Sequence, residues 1–273
     1  MRLCEIKYRK NVVMEKTFLG KQALVIGGSG GIGKAVALGL AERGALVTIT
    51  GGNSQERLDK TVAELNAVSG NDSGSGIQVP KAANSGFLCK IGSPEGFSPE
   101  AAAVFILERA VPPDILVICW GPFEIIALQD TKPENWRFLV ESNLIFPGIM
   151  ISSVLCDMMN KGWGRILLFG GTKTAEIRGF LHTPAYGTAK TALGTLAKSV
   201  AKSAGKAGVS CNVICPGLTA TEYSSSPELA FYKEKSPGGR IVTTDDIALC
   251  ALEILKTQNI NGVIIPVDGG LWV

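Results

Sequence analysis

The sequence is poor in the features that mark several large classes of protein. No uncharged apolar run reaches the roughly 18 residues that a membrane span requires. The opening stretch, MRLCEIKYRKNVVMEKTF, mixes charges with apolar side chains and lacks the apolar centre of a signal peptide. Neither sign of charge is in excess: the net charge is +3, and Lys and Arg are scattered. That removes the case for a nucleic-acid or membrane surface. There is one histidine, His182, and the seven cysteines (4, 89, 119, 156, 211, 215, 250) are odd in number and lack metal-ligand spacing. The expectation is no metal site, and buried free thiols in a reducing cytoplasm.

What is present is a packed α/β pattern. Charged residues are 19% against 46% hydrophobic, and 273 residues suffice for one domain with a large core. Strand and helix patterns alternate throughout, which predicts a parallel sheet covered on both faces. Strands are expected at residues 23–26, 46–50, 87–89, 115–118, 165–169, 210–214 and 263–267, with Cys211 and Cys215 on one strand face. Helices are expected to start near Gly31, Ser54, Pro99, Pro133, Pro184 and Thr244; proline suits a first turn, where its missing N–H costs nothing. Seven strands with intervening helices make one doubly wound domain, its ligand site at one edge of the sheet. Residues 1–18 read as an N-terminal extension and 19–273 as the domain. The Gly-, Ser- and Asn-rich segment from Val68 to Gly86 reads as a mobile surface loop.

The run Val25-Ile26-Gly27-Gly28-Ser29-Gly30-Gly31-Ile32-Gly33 reads as a strand, a tight glycine turn and a helix start. Gly27 permits the sharp turn, Gly31 a close ligand approach, and Gly33 close packing of helix on strand. A helix N-terminus offers free N–H groups and a positive dipole end to a pyrophosphate. The Gly-x3-Gly-x-Gly spacing differs from the commoner Gly-x-Gly-x2-Gly, and taken alone it fits a purely structural turn as well. Further on, Tyr186 and Lys190 stand four apart on one helical face. A tyrosine ordinarily titrates near 10, far from neutrality. A neighbouring ammonium favours the phenolate, so such a pair can exchange a proton with a carbonyl oxygen while hydride moves at carbon.

With these residues in that order, the chain resembles the short-chain dehydrogenase/reductase family in its single-domain form, from about Leu19 to Val273. Leu19-Gly20-Lys21 and the glycine turn, Asn143, Tyr186 with Lys190, Pro216-Gly217 ending with Thr221, and Val267-Asp268-Gly269-Gly270 carry the resemblance. It implies a Rossmann-type fold and an NAD(P)-dependent oxidoreductase acting on CH–OH groups, resembling 3-oxoacyl-[acyl-carrier-protein] reductases. By that resemblance Tyr186 is the general acid/base, Lys190 holds the nicotinamide ribose and supports ionisation of Tyr186, and Asn143 holds a relay water. Gly27, Ser29, Gly30, Gly31, Ile32, Gly33, Gly121, Pro216, Gly217 and Thr221 would meet the cofactor.

The departures from the family pattern are equally specific. The family's serine lies thirteen residues before the tyrosine, and here that position is Lys173. Alignment of the preceding strand points instead to Gly171 or Thr172; Thr172 is taken as the substitute, with Thr174 behind it. The fourth strand ends Ile118-Cys119-Trp120-Gly121 where the family has Asn-Asn-Ala-Gly. Trp120 and Phe123 either line an aromatic pocket or pack in the core. Lys90 replaces an aspartate near the adenine site. The second strand ends Thr50-Gly51-Gly52-Asn53-Ser54, with no carboxylate to exclude a phosphate, and Asn53, Ser54 and Lys90 favour NADP over NAD.

The segment from Thr219 to Arg240 is expected to form an aromatic flap through Tyr223, Phe231 and Tyr232, and His182 an exposed loop. A homodimer or homotetramer is expected from the resemblance; the apolar helices at 144–155 and 192–200 suit such an assembly and suit packing on the sheet equally. The competing reading is a nucleotide-binding or scaffold member of the same fold with little or no turnover.

Overall fold

The computed structural model describes residues 16–69, 84–92, 96–221, 224 and 226–271. Alternation of side chains along each strand decides the layering. In β1 (Gln22–Ile26), Ala23 and Val25 enter one core and Leu24 and Ile26 the other. In β4 (Ile115–Ile118), Ile115 and Val117 part in the same way from Leu116 and Ile118. Such strands are buried on both faces, which is why they read as continuous apolar runs. The remaining strands of the main sheet are β2 (Leu46–Gly51), β3 (Ser85–Leu88), β5 (Gly164–Phe169), β6 (Val209–Pro216) and β9 (Ile264–Val267). Their order is β3-β2-β1-β4-β5-β6-β9, and every neighbouring pair is parallel.

Helices α1 (Gly31–Glu42), α2 (Gln55–Ser69) and α8 (Thr244–Lys256) cover one face. The other is covered by α3 (Pro99–Leu107), α5 (Phe146–Lys161) and α6 (Pro184–Ala204). Strand order reverses between β1 and β4. The carboxyl ends of β1, β4, β5 and β6 therefore open into a crevice at one edge, the place such sheets bind ligands.

One helix departs from regular geometry around Asn143. Helix α4 (Pro133–Val140) runs into α5 through a π turn at Glu141–Ile145, making one rod of 29 residues. The Phe146 N–H donates to the Glu141 carbonyl five residues back. The cause is Pro147, which has no N–H for the Asn143 carbonyl and whose ring would strike it in a regular α-helix. The wide turn accommodates the ring and carries Asn143. By length and apolarity this rod could cross a membrane. In the fold its apolar residues Phe146, Met150, Ile151, Val154 and Met158 are buried in the sheet-side core, each stabilising by about 2 kcal/mol.

Several boundaries differ from the sequence reading. Phe18, placed in the extension, is buried in the α1/α8 core, and its N–H donates to the Arg43 carbonyl at 3.0 Å. The domain therefore includes it; residues 1–15 lie outside the described residues. Of the segment read as a loop from Val68 to Gly86, residues 70–83 lie outside the described residues and both ends belong to regular elements. Val68 and Ser69 complete α2, Ser85 and Gly86 open β3, and buried Asn84 accepts from Val47 N at 2.8 Å. The flap contains α7 (Ser226–Lys235), preceded by β7 (Thr219–Ala220), which pairs with β8 (Val242–Thr243). Tyr223 lies outside the described residues. The described cysteines are free thiols, but Cys156 is exposed and Cys119 half-buried, so burial does not hold for all of them. The apolar residues at 144–155 and 192–200 largely face the sheet, and Ser152, Ser153, Ser199 and Lys198 face outward. Packing on the sheet accounts for most of their apolar character.

Candidate active site

The glycine turn is built for close approach. Gly27 has φ +79 and Gly31 φ +51, conformations that side-chain-bearing residues rarely adopt. A Cβ on Gly33 would strike the Gly27 carbonyl oxygen, so a glycine there lets α1 sit directly on the turn. No side chain caps the start of α1, and its first turn holds no acidic residue. The positive helix end thus faces a cleft of about 630 Å³ lined by Gly27, Ser29, Gly30, Gly31, Ile32 and Gly33. Gly121 and Thr221 line it from the strands beyond the switch point. These are the features a dinucleotide pyrophosphate requires.

The far end of this cleft is formed by Gly52, Asn53, Ser54 and Arg57. Ser54 accepts from Arg57 N at 3.2 Å, turning the chain into α2. Arg57 was not singled out from the sequence; the signal was a base one turn after a second strand that ends without a carboxylate. Lys90, exposed, lines an adjoining pocket of about 250 Å³ with Asn53 and Trp120.

The same cleft continues into a second cavity of about 420 Å³, sharing Ile32, Cys119, Gly121 and Thr221 and adding Tyr186, Lys190, Thr172, Pro216 and Gly217. Pro184 starts α6 and brings Tyr186 and Lys190 onto one face a turn apart. Lys190 is buried, and its Nζ donates to the Phe169 carbonyl at the end of β5 at 2.8 Å. It lies 5.9 Å from the Tyr186 ring centroid. Asn143 is fully buried; its Nδ2 donates to the carbonyls of Pro122 and Leu139, both at 3.0 Å. No group among the described residues donates to its Oδ1. A Cβ at Gly121 would strike that oxygen and come within 2.9 Å of Lys190 Nζ. Gly121 is thus the gap across which Asn143 and Lys190 face each other.

Burial sets the titration here. It pushes the Tyr186 phenol above its ordinary range, with the Cys215 thiol adding to the rise. It pushes Lys190 down to about 8, opposed by smaller effects of Cys119 and Cys215. The sequence reading expected the ammonium to lower the phenol. In the protein's own environment desolvation wins.

A family model described as enoyl-(acyl carrier protein) reductase matches residues 27–272 of the chain. The chain belongs to the short-chain dehydrogenase/reductase family. The mouse dehydrogenase/reductase SDR family member 4 is 30% identical over 265 residues, covering 92% of this chain and 86% of that one. The 3-oxoacyl-[acyl-carrier-protein] reductase of Salmonella typhimurium strain LT2 is 28% identical over 262 residues, 94% of this chain and 99% of its own. A solved structure titled short chain dehydrogenase/reductase family protein superposes with TM-score 0.75 at 25% identity, covering 93% of this chain and 98% of its own. As a short-chain dehydrogenase/reductase the chain is an oxidoreductase acting on CH–OH groups, in a family that uses NAD(P).

Within the short-chain dehydrogenase/reductase pattern, the loop after β5 is one place where this chain lacks the expected serine. Thr172 lies on the cavity wall, but its hydroxyl donates to the Pro216 carbonyl at 3.3 Å. Thr174, the other hydroxyl considered, is buried and turned away. It accepts from Gly171 N at 2.8 Å and contacts Cys215 Sγ at 3.4 Å. That bond also engages the backbone N–H that Gly171 had to offer. The position facing the Tyr186 hydroxyl is Gly171, where a Cβ would lie 2.6 Å from that oxygen.

Trp120 is half-buried on the cleft edge, edge-on to Phe146 at 6.0 Å, so it serves both core and pocket. Phe123 is exposed and edge-on to Tyr186 at 4.9 Å. Pro216-Gly217 is fixed from behind: Gly217 N donates to Val267 O at 2.9 Å, and a Cβ on Gly217 would meet Asp268. Thr221 N donates to Ser224 Oγ at 3.1 Å, which closes a turn at the root of the flap. His182 is exposed and lines neither cavity.

Proposed function

We propose that this enzyme reduces a carbonyl to an alcohol with NADPH, Tyr186 acting as the proton donor. The observation that carries the proposal is continuity. The glycine cleft and the cavity holding Tyr186, Lys190 and Asn143 share Ile32, Cys119, Gly121 and Thr221, so a dinucleotide lying along one would end in the other. The cofactor supplies hydride when bound. Lys190 holds the ribose end from the floor of the cavity, and the unpaired Asn143 Oδ1 takes a water that passes protons toward Lys190.

A phenol whose pKa is raised by burial stays protonated at neutral pH, the form required for donation to a carbonyl oxygen. A protonated phenol suits the reductive direction, in which the proton goes to the carbonyl oxygen. Thr172 is the one cavity-lining hydroxyl beside Tyr186 on the β5–α6 loop, and it serves the substrate carbonyl by giving up its bond to Pro216. Arg57, Asn53, Ser54 and Lys90 favour a 2′-phosphate, hence NADP. A homo-oligomer and a cytoplasmic location fit the family and the free thiols.

The test is Tyr186→Phe. Turnover of a carbonyl panel with NADPH is expected to fall at least a thousandfold while NADPH affinity stays within a few-fold. The competing reading, a nucleotide-binding member with little turnover, draws on Gly171 standing where a hydroxyl is usual. NADPH binding with no turnover by the wild-type chain across the panel would favour it.

A further inference from the structure

From the Tyr186 hydroxyl an apolar strip leads out of the cavity to solvent, and we infer that it receives an extended apolar tail on the carbonyl substrate. This rests on the reading of Tyr186 as proton donor. The strip starts at Phe123, which is edge-on to the Tyr186 ring and lines the cavity. It continues along the segment after Phe123, with Ile125 71% and Leu128 61% exposed. The loop before α6, bonded to this segment at Ile126, has Ile177 97% and Leu181 77% exposed.

The two segments are fixed to one another and to the site. Ile126 N donates to His182 O at 2.8 Å, which sets Ile125 and Leu181 on either side of that bond. The Phe180 ring fills the space over Gly187, one residue from Tyr186. The loop is thus anchored by Phe180 on the helix that carries the catalytic tyrosine, yet its Ile177 and Leu181 side chains stay in water. Exposed apolar residues are ordinary singly; several on two segments that are bonded to each other, one of them running on from the cavity-lining Phe123, mark a binding surface. The occupant must reach Tyr186 and cover apolar residues on the way, which a substrate with a chain of several methylenes does.

Activity with NADPH is measured on straight-chain 2-alkanones from butanone to decanone. kcat/KM is expected to rise roughly two- to fourfold per added methylene, since full burial of one is worth about fourfold. Ile177→Ser with Leu181→Ser touches no cavity-lining residue, and it is expected to flatten that rise while leaving butanone turnover unchanged. A flat series in the wild type, or an unchanged slope in the double variant, overturns the inference while leaving the reduction chemistry intact. So does sedimentation showing that the double substitution splits an oligomer, because a second copy then covers the strip. Should no ketone be turned over, the chemistry has failed, and calorimetric affinities for 2-alkanols of the same lengths decide the strip. Affinity that grows with length and is levelled in the variant supports it; affinity independent of length overturns it.

Discussion

A methyl group at position 171 would put its carbon 2.6 Å from the Tyr186 hydroxyl oxygen and 2.8 Å from the ring. Real contacts of that kind do not occur, so the tyrosine has taken up space that a side chain would otherwise hold. Gly171→Ser, although it installs the residue usual in the family, is expected to cost activity. Displacing a reacting group by about 1 Å lowers rates roughly a hundredfold. A kcat/KM that rises in the serine variant, measured beside an unchanged NADPH affinity, would show the space to be spare.

Thr172 gives a complementary test. Thr172→Val keeps the shape and removes the hydroxyl. Loss of one positioned donor to a developing oxyanion costs about 100- to 1000-fold in kcat. If the hydroxyl only fastens the loop to Pro216, the substitution instead lowers thermal stability by a modest amount and leaves kcat nearly unchanged. Steady-state kinetics and a melting curve on the same sample separate the two.

The pH dependence follows from Lys190. Its pKa in the fold is about 8 against an ordinary 10.5, so the ammonium is present below pH 8 and lost above it. Carbonyl reduction is expected to be level up to about pH 7 and to fall about tenfold per unit well above 8. Stability moves the other way. The unfolded chain binds this proton more tightly than the folded one between about 8 and 10.5, so this group's contribution to stability improves as pH rises through that window. Rate profiles and urea unfolding at pH 7 and 9.5 read both trends.

Arg57 tests the proposed preference for NADP. Its place beside Asn53 and Ser54 at the end of the glycine cleft suits a phosphate, and a charge-assisted hydrogen bond contributes about 2 kcal/mol. Arg57→Ala is expected to weaken NADPH binding about tenfold or more and to leave NADH binding within twofold. Equal losses for both, by titration calorimetry, would assign Arg57 a structural role.

The sheet was legible from sequence because both-face burial writes each strand as an unbroken apolar run. The helix starts were legible because Pro99, Pro133 and Pro184 stand at first turns. Tyr186, Lys190, Asn143 and the glycines, as far apart in sequence as Gly27 and Lys190, do gather around one crevice. What could not be read was anything set by a neighbour distant in sequence. The contest at Thr172 is with Pro216, 44 residues away; the raised pKa of Tyr186 comes from burial that no local pattern reveals. The π turn was hidden as well, since Pro147 marks a helix interrupted without saying whether it kinks, ends or widens.

That turn has a consequence for how the chain can change. Pro147 is the weakest residue of the 29-residue rod, and an alanine there would let the regular ladder close, strengthening the helix by as much as about 3 kcal/mol. Closing it would also remove one residue's worth of extra winding and swing the segment before it by roughly 100°. Asn143 would then leave the gap at Gly121 that it shares with Lys190. Pro147 thus trades strength of the rod for the shape of the cavity.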